Sequence, residues 1–173
     1  VDHFALLGLP RRFEIDSSAL ERRLRELSRR LHPDRFARAA PRERRLSLDW
    51  STRVNDAVRC LRDWRLRAAY LLRLAGTDVA AEGRGFADPE FLEEQLAWRE
   101  EMALARADGD AGRLAGIAAR ARVRLDGLEE EVAGLFREEE WASELTVELA
   151  HRLARARYYD SVVDDAERLV PAA

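Results

Sequence analysis

Apolar residues recur along this 173-residue chain at intervals of three and four, the pattern of helices that bury one face. Asp2 to Leu7 reads as a short first helix, stopped by Gly8 and Pro10, that delivers Phe4, Leu6 and Leu7 to a core. Asp16 or Ser18 suits the cap of the next helix, the latter with Glu21 as a capping box, and Leu20, Leu24, Leu27 and Leu31 follow at helical spacing. That helix must end near Leu31, because Pro33 disfavours the α conformation at His32. After a loop, Pro41 opens a long helix with Leu46, Trp50, Val54, Ala57, Val58 and Leu61 along one side, predicted to run antiparallel to its predecessor. Arg65 to Leu74 is a fourth, short helix whose Tyr70, Leu71, Leu72 and Leu74 are expected to be mostly buried.

The pattern then restarts. Asp88 as cap and Pro89 at the first helical position open one helix, and Asp108-Gly109-Asp110 closes it and starts the next. That second helix runs from about Ala111 to Arg137, and a third carries Trp141, Leu145, Leu149, Leu153 and Ala156. The expected fold is all-α. A helical hairpin with two short helices occupies residues 1–75, a linker 76–87, and a three-helix bundle 88–173.

Composition agrees with helix: 9 glycines and 5 prolines are few, and Ala, Leu, Arg and Glu dominate, which excludes a β-sandwich or a Rossmann-type sheet. The single cysteine, Cys60, rules out a disulfide framework or a multi-cysteine metal site within the chain and suits a reducing compartment. No stretch reads as a membrane span or a secretory signal, so the expected location is cytoplasmic, with no membrane partner. The net charge of -3 conceals a split. Residues 1–75 hold 18 arginines against 10 acids, residues 76–173 hold 12 against 23, and two modules with different partners are implied.

The tripeptide His32-Pro33-Asp34 sits in the loop between the two antiparallel helices, where it is exposed and mounted at both ends. Pro33 stiffens the loop, Asp34 offers a carboxylate to a partner's arginine, and His32 offers a ring that donates or accepts. Before it lies a helix bearing Arg22, Arg23, Arg25, Arg29 and Arg30, and after it Arg35-Phe36. Ten arginines and four acids fall within residues 20–45. This constellation resembles the J domain of DnaK-type chaperone partners. Asp2-His3-Phe4 through Gly8-Leu9-Pro10 and Arg67-Ala68-Ala69-Tyr70-Leu71-Leu72 narrow the resemblance to the HscB family, with Asn55, Ala57, Phe91-Leu92, Gln95-Leu96 and Arg99-Glu100-Glu101 as further signposts.

That resemblance implies a co-chaperone, not an enzyme, whose J domain stimulates the ATPase of a DnaK-type, HscA-like chaperone and whose bundle delivers the IscU-type scaffold of iron–sulfur cluster assembly. It assigns His32, Pro33, Asp34, Arg22, Arg25, Arg29 and Arg35 to the chaperone, and Leu92, Leu96, Glu100 and Tyr158 to the scaffold. On a helical wheel Phe91, Gln95, Trp98, Met102 and Ala105 form one seam, with Leu92 and Leu96 about 100° from its centre. Periodicity alone fits either a wide buried face or an exposed pair, and Tyr158 is chosen narrowly over Tyr159. Some family members carry methionine where this chain has Glu93, and acids where it has Ala97 and Leu104. No catalytic residue, metal ligand set or cofactor is expected, since His3, His32 and His151 are not spaced with carboxylates or thiol as a metal site requires. Two alternatives stay open. The bundle recruits a different client, or the basic half makes this a helical nucleic-acid-binding protein, although its arginines alternate with Glu21, Glu26 and Glu43 and lack interleaved aromatics.

Overall fold

The computed structural model describes residues 2–32, 40–77, 88–137 and 143–170, with the side chains of 143 and 144 left aside. Among them every regular element is helical, and the chain divides into two compact units, Val1–Ala75 and Gly76–Ala173. Most of the expected linker, residues 78–87, lies outside the described residues, as does Trp141.

In the first unit each helix starts where a side chain satisfies an orphan backbone N–H. The Asp2 carboxylate accepts from the Ala5 N–H at 2.8 Å to open α1, His3–Leu7. Gly8 closes it in the left-handed region at φ 64°, with the Gly8 and Leu9 N–H groups donating to the carbonyls of Ala5 and Phe4. A Cβ there would also lie 3.3 Å from the Arg23 guanidinium. Of the two cap candidates for α2, Ser17–Leu31, Asp16 takes the position, accepting from the Ser18 N–H at 2.8 Å. At its other end His32 turns extended, φ -58° and ψ 130°, as a residue before proline must. Pro41 opens α3, Pro41–Arg62, where the Glu43 carboxylate accepts the Ala40 N–H at 3.2 Å. Asp63 caps α4, Trp64–Leu74, by accepting from Arg65 and Leu66 N–H. Burial works against ionising Asp63, but these hydrogen bonds and the Arg65 guanidinium at 2.8 Å outweigh it and hold its pKa below the ordinary value.

The core of this unit joins Phe4 and Leu7 of α1, Phe13 of the following loop, Leu20 of α2, Val54, Ala57, Val58 and Leu61 of α3, and Ala68, Tyr70, Leu71 and Leu72 of α4. The Tyr70 hydroxyl accepts from the His3 N–H at 2.9 Å and its ring stacks on His3 at 4.4 Å, tying the first helix to the fourth. Leu46 and Trp50 do not join the core, contrary to their helical spacing, and are 49% and 40% exposed. At that level Ser47 faces inward, its hydroxyl donating to the Leu31 carbonyl at 2.9 Å. The burial of α3 is concentrated in Val54 to Leu61, and along its first turns it buries only a narrow strip.

Arg67 is the other departure from polarity pattern. Its side chain is buried, Nη1 donates to the Leu61 carbonyl at 2.5 Å and the Arg62 carbonyl at 3.4 Å, and its guanidinium lies 4.8 Å from the Phe13 ring centroid. A cation thus meets the last carbonyls of α3, where the helix dipole is negative and no backbone donor reaches.

The second unit is a three-helix bundle of α5, Pro89–Ala107, α6, Ala111–Phe136, and α7, Ser143–Leu169. Asp88 caps α5 with Pro89 at its first position, and Gly109 at φ 65° reverses the chain before Asp110 caps α6. The buried seams are Phe91, Trp98 and Ala105 of α5, Leu114, Ile117, Ala118, Ala121, Leu128 and Val132 of α6, and Leu149, Leu153, Ala156, Tyr159, Val162 and Ala166 of α7. Alanines at several of these positions let α6 and α7 pack closely. Glu94 knits all three helices. Its carboxylate accepts from the Tyr159 hydroxyl at 2.7 Å and the Trp98 indole N–H at 3.3 Å, and pairs with Arg124 at 3.3 Å. Burial, reinforced by the Glu94 carboxylate, pushes the Tyr159 hydroxyl well above its ordinary pKa.

Replacing Arg67 by Ala leaves the α3 carbonyls uncapped and opens a void against Phe13. A loss of about 2–4 kcal/mol is expected, read as faster hydrogen exchange at the α4 amides while those of α6 and α7 keep their protection.

Candidate functional site

On α2 the buried stripe and the arginine row lie opposite each other. Leu20 is buried and Leu24, Leu27 and Leu31 are half-buried, whereas Arg22, Arg25 and Arg29 face solvent on the far side. Arg22 lies 3.6 Å from the Asp16 carboxylate with more than half of its side chain still exposed. Arg29 and Arg30 occupy the last turn, where positive charge suits the helix dipole. The row ends at His32, which is exposed at the C-cap. Pro33, Asp34 and Arg35, the remainder of the candidate docking corner, lie outside the described residues. The end of α2 is anchored to α3, because the hydroxyls of Ser47 and Ser51 both reach the Leu31 carbonyl, at 2.9 and 3.4 Å.

In the bundle the ambiguity left by periodicity is resolved by exposure. Phe91, Trp98 and Ala105 form the buried line of α5, with Gln95 and Met102 half-buried at its edge. Leu92 and Leu96 are 51% and 57% exposed, so the buried face is not wide enough to include them. Glu100 is exposed one turn further along the same surface. Glu93, Ala97 and Leu104, the positions that depart from the family's usual residues, are exposed as well.

The two tyrosines of α7 separate by environment. Tyr159 is core, 3% exposed and bonded to Glu94. Tyr158 is half-buried at the margin: its ring meets Phe91 edge-on at 5.5 Å, and its hydroxyl donates to the Gln95 carbonyl at 3.1 Å. Because Gln95 immediately precedes Leu96, Tyr158 sits beside the helix that carries both exposed leucines, and burial raises its hydroxyl's pKa.

No group of three or more His, Cys, Asp or Glu side chains among the described residues is placed to hold a metal ion. Cys60 is half-buried with its Sγ 3.7 Å from the Leu66 carbonyl, and burial pushes its thiol pKa up, away from a reactive thiolate. No helix among the described residues is long and apolar enough to cross a membrane. Sequence reasoning missed the exposed Leu46 and Trp50 and the buried Arg67. Leu46 and Trp50 matched a helical core pattern, and arginine is too common in this chain for one position to stand out.

A helical hairpin with two short helices, joined to a three-helix bundle, is the fold of a J-domain co-chaperone. Residues 87–167 match the family described as the HSCB C-terminal oligomerisation domain. The chain is 45% identical to the co-chaperone protein HscB homolog of Ralstonia nicotianae over 134 residues, 78% of this chain and 76% of that protein. It is 51% identical to the Bordetella petrii homolog over 107 residues, 62% of this chain and 63% of that one, less than two thirds of its length. Among solved structures, the chaperone HscB from Vibrio cholerae superposes with a TM-score of 0.79 at 30% identity, covering 97% of this chain and 96% of that one. The human co-chaperone protein HscB gives 0.85 at 26% identity, covering 97% and 81%. The chain belongs to the HscB co-chaperone family.

The burial pattern of α5 fixes the cost of substitution. Phe91→Ala is expected to destabilise the bundle by about 3–5 kcal/mol in urea unfolding. Leu92→Ala and Leu96→Ala, one and five residues further along the helix, should each stay within about 0.5 kcal/mol of the unmodified chain.

Proposed function

We propose that this protein is a co-chaperone of iron–sulfur cluster assembly that couples a scaffold-bearing bundle to a chaperone ATPase. In this reading His32, Pro33, Asp34 and Arg35 with the row Arg22, Arg25 and Arg29 dock a DnaK-type, HscA-like chaperone, and docking accelerates its hydrolysis of ATP. Acceleration requires that the corner bind the hydrolysis-competent state of the chaperone more tightly than the resting state, since equal affinity for both shifts nothing. The arginine excess of residues 1–75 steers the encounter with an acidic surface, over distances set by a screening length of about 8 Å at physiological salt. The hydrolysis itself belongs to the partner.

Leu92, Leu96, Glu100 and Tyr158 take the IscU-type scaffold. The observation that carries this half is the exposure of two leucines on a helix whose core seam is already filled by Phe91, Trp98 and Ala105. Surface leucines one turn apart, beside an aromatic ring and a carboxylate, have the make-up of an apolar contact with a polar edge. Leu104 adds a further exposed apolar side chain to α5.

Two measurements test the two halves separately. Asp34→Asn should abolish the stimulation of ATP hydrolysis in a single-turnover assay with an HscA-like chaperone, with helicity unchanged; undiminished stimulation would reject the role of the loop. In calorimetric titration with a purified IscU-type scaffold, Leu92→Ala combined with Leu96→Ala should weaken binding by about 2–4 kcal/mol. Unchanged affinity would place the scaffold elsewhere.

A further inference from the structure

Leu46 and Trp50 lie one helical turn apart on α3, 49% and 40% exposed, with Arg42 one turn before them and Arg53 after them along the same flank. The Arg53 guanidinium sits 5.7 Å from the Trp50 ring centroid. Leu48 is also exposed but projects from the opposite flank. An exposed tryptophan carrying an arginine and flanked by leucine combines the residue types that dominate binding energy at protein interfaces. The ledge also has a fixed position. Ser47 and Ser51, interleaved with Leu46 and Trp50, hold the Leu31 carbonyl, so these turns of α3 are pinned beside the last residue of α2, next to His32.

Charge selects the occupant. The ledge belongs to a unit with 18 arginines and 10 acids, and of the two acids on these turns Glu43 is already engaged with the Ala40 N–H, leaving Asp49. A second copy of the same ledge would set arginine against arginine, whereas an apolar surface rimmed by carboxylates would be complementary. We infer that Leu46 and Trp50, with Arg42 and Arg53, form a second contact for the DnaK-type chaperone, one that receives an apolar, acid-rimmed surface while the neighbouring corner engages the ATPase. The inference rests on the reading of the first unit as the chaperone-docking unit. The corner would set which chaperone state is favoured, and the ledge would add affinity and fix the angle of approach.

The experiment follows single-turnover ATP hydrolysis by a purified HscA-like chaperone as the concentration of the full chain is raised. Leu46→Gln combined with Trp50→Gln should raise the half-saturating concentration roughly tenfold or more. Leu48→Gln, on the opposite flank, should change it less than about twofold. Trp50→Phe, which keeps an aromatic face for Arg53, should recover most of the loss in a chain retaining Leu46. Three results would overturn the inference while sparing the docking corner, provided Asp34→Asn still abolishes stimulation. These are a double variant that matches the unmodified chain, a double variant that loses helicity and so shows the pair to be core, and sedimentation in which the double variant loses self-association without losing stimulation. If the unmodified chain fails to accelerate hydrolysis at all, the docking reading falls and this inference with it.

Discussion

A helix packed against one neighbour buries a stripe of its surface and must leave the remainder to water, and that constraint organises both units of this protein. On α2 the stripe is leucine and the remainder is arginine; on α5 the stripe runs through Phe91, Trp98 and Ala105 and the remainder contains Leu92 and Leu96. Apolar burial favours the stripe by roughly 25 cal/mol for each Å² removed from water, so its composition is tightly held. The outward face carries no such demand. It is free to hold whatever a partner requires, and the described candidate contacts on α2 and α5 lie on those outward faces.

Side chains that break the apolar pattern hold the stripes in register. Arg67 brings a guanidinium into the interior of the first unit and places it on the carbonyls that end α3, against Phe13. Glu94 performs the corresponding task in the bundle, gathering donors from Trp98, Tyr159 and Arg124 on three helices. Each buries polarity that would be costly alone and becomes favourable only with its partners in place, which narrows the packing to one arrangement. The site inherits that precision. Tyr158 reaches Gln95 because its neighbour Tyr159 is fixed to Glu94, and the α3 turns beside His32 are fixed because two serines share one carbonyl.

The opposite charges of the two halves fit a molecule with two partners. The proposed arginine-rich docking face would attract an acidic surface from a distance, with short-range contacts then deciding orientation. On α5 the proposed contact is instead apolar at its centre, with Glu100 at its edge, so its strength would depend on shape and desolvation more than on salt. In the proposed reading the cargo contact belongs to the second unit and the motor contact to the first.

The order of helices and their breaks were legible in the chain because those features are local: Asp16, Asp88 and Asp110 each act within three residues, and Gly8 and Gly109 supply turns that their own backbones permit. Asp2 and Asp63 cap α1 and α4 over the same short range, but their spacing alone does not mark them as caps. The resemblance carried by His32-Pro33-Asp34 and by the strings around Phe4, Tyr70 and Leu92 was legible too, because it depends on residue identity alone. What periodicity could not settle was the width of each buried face, since that depends on how many neighbours a helix meets at each level. Leu46 and Trp50 have core spacing yet stand in solvent, while Leu92 and Leu96 sit near the margin of a seam that ends before it reaches them. Only the packing of one helix against another decided those positions, along with the burial of Arg67 and the division of labour between Tyr158 and Tyr159, because burial is a property of the assembled surface and not of the spacing along any one strip of it.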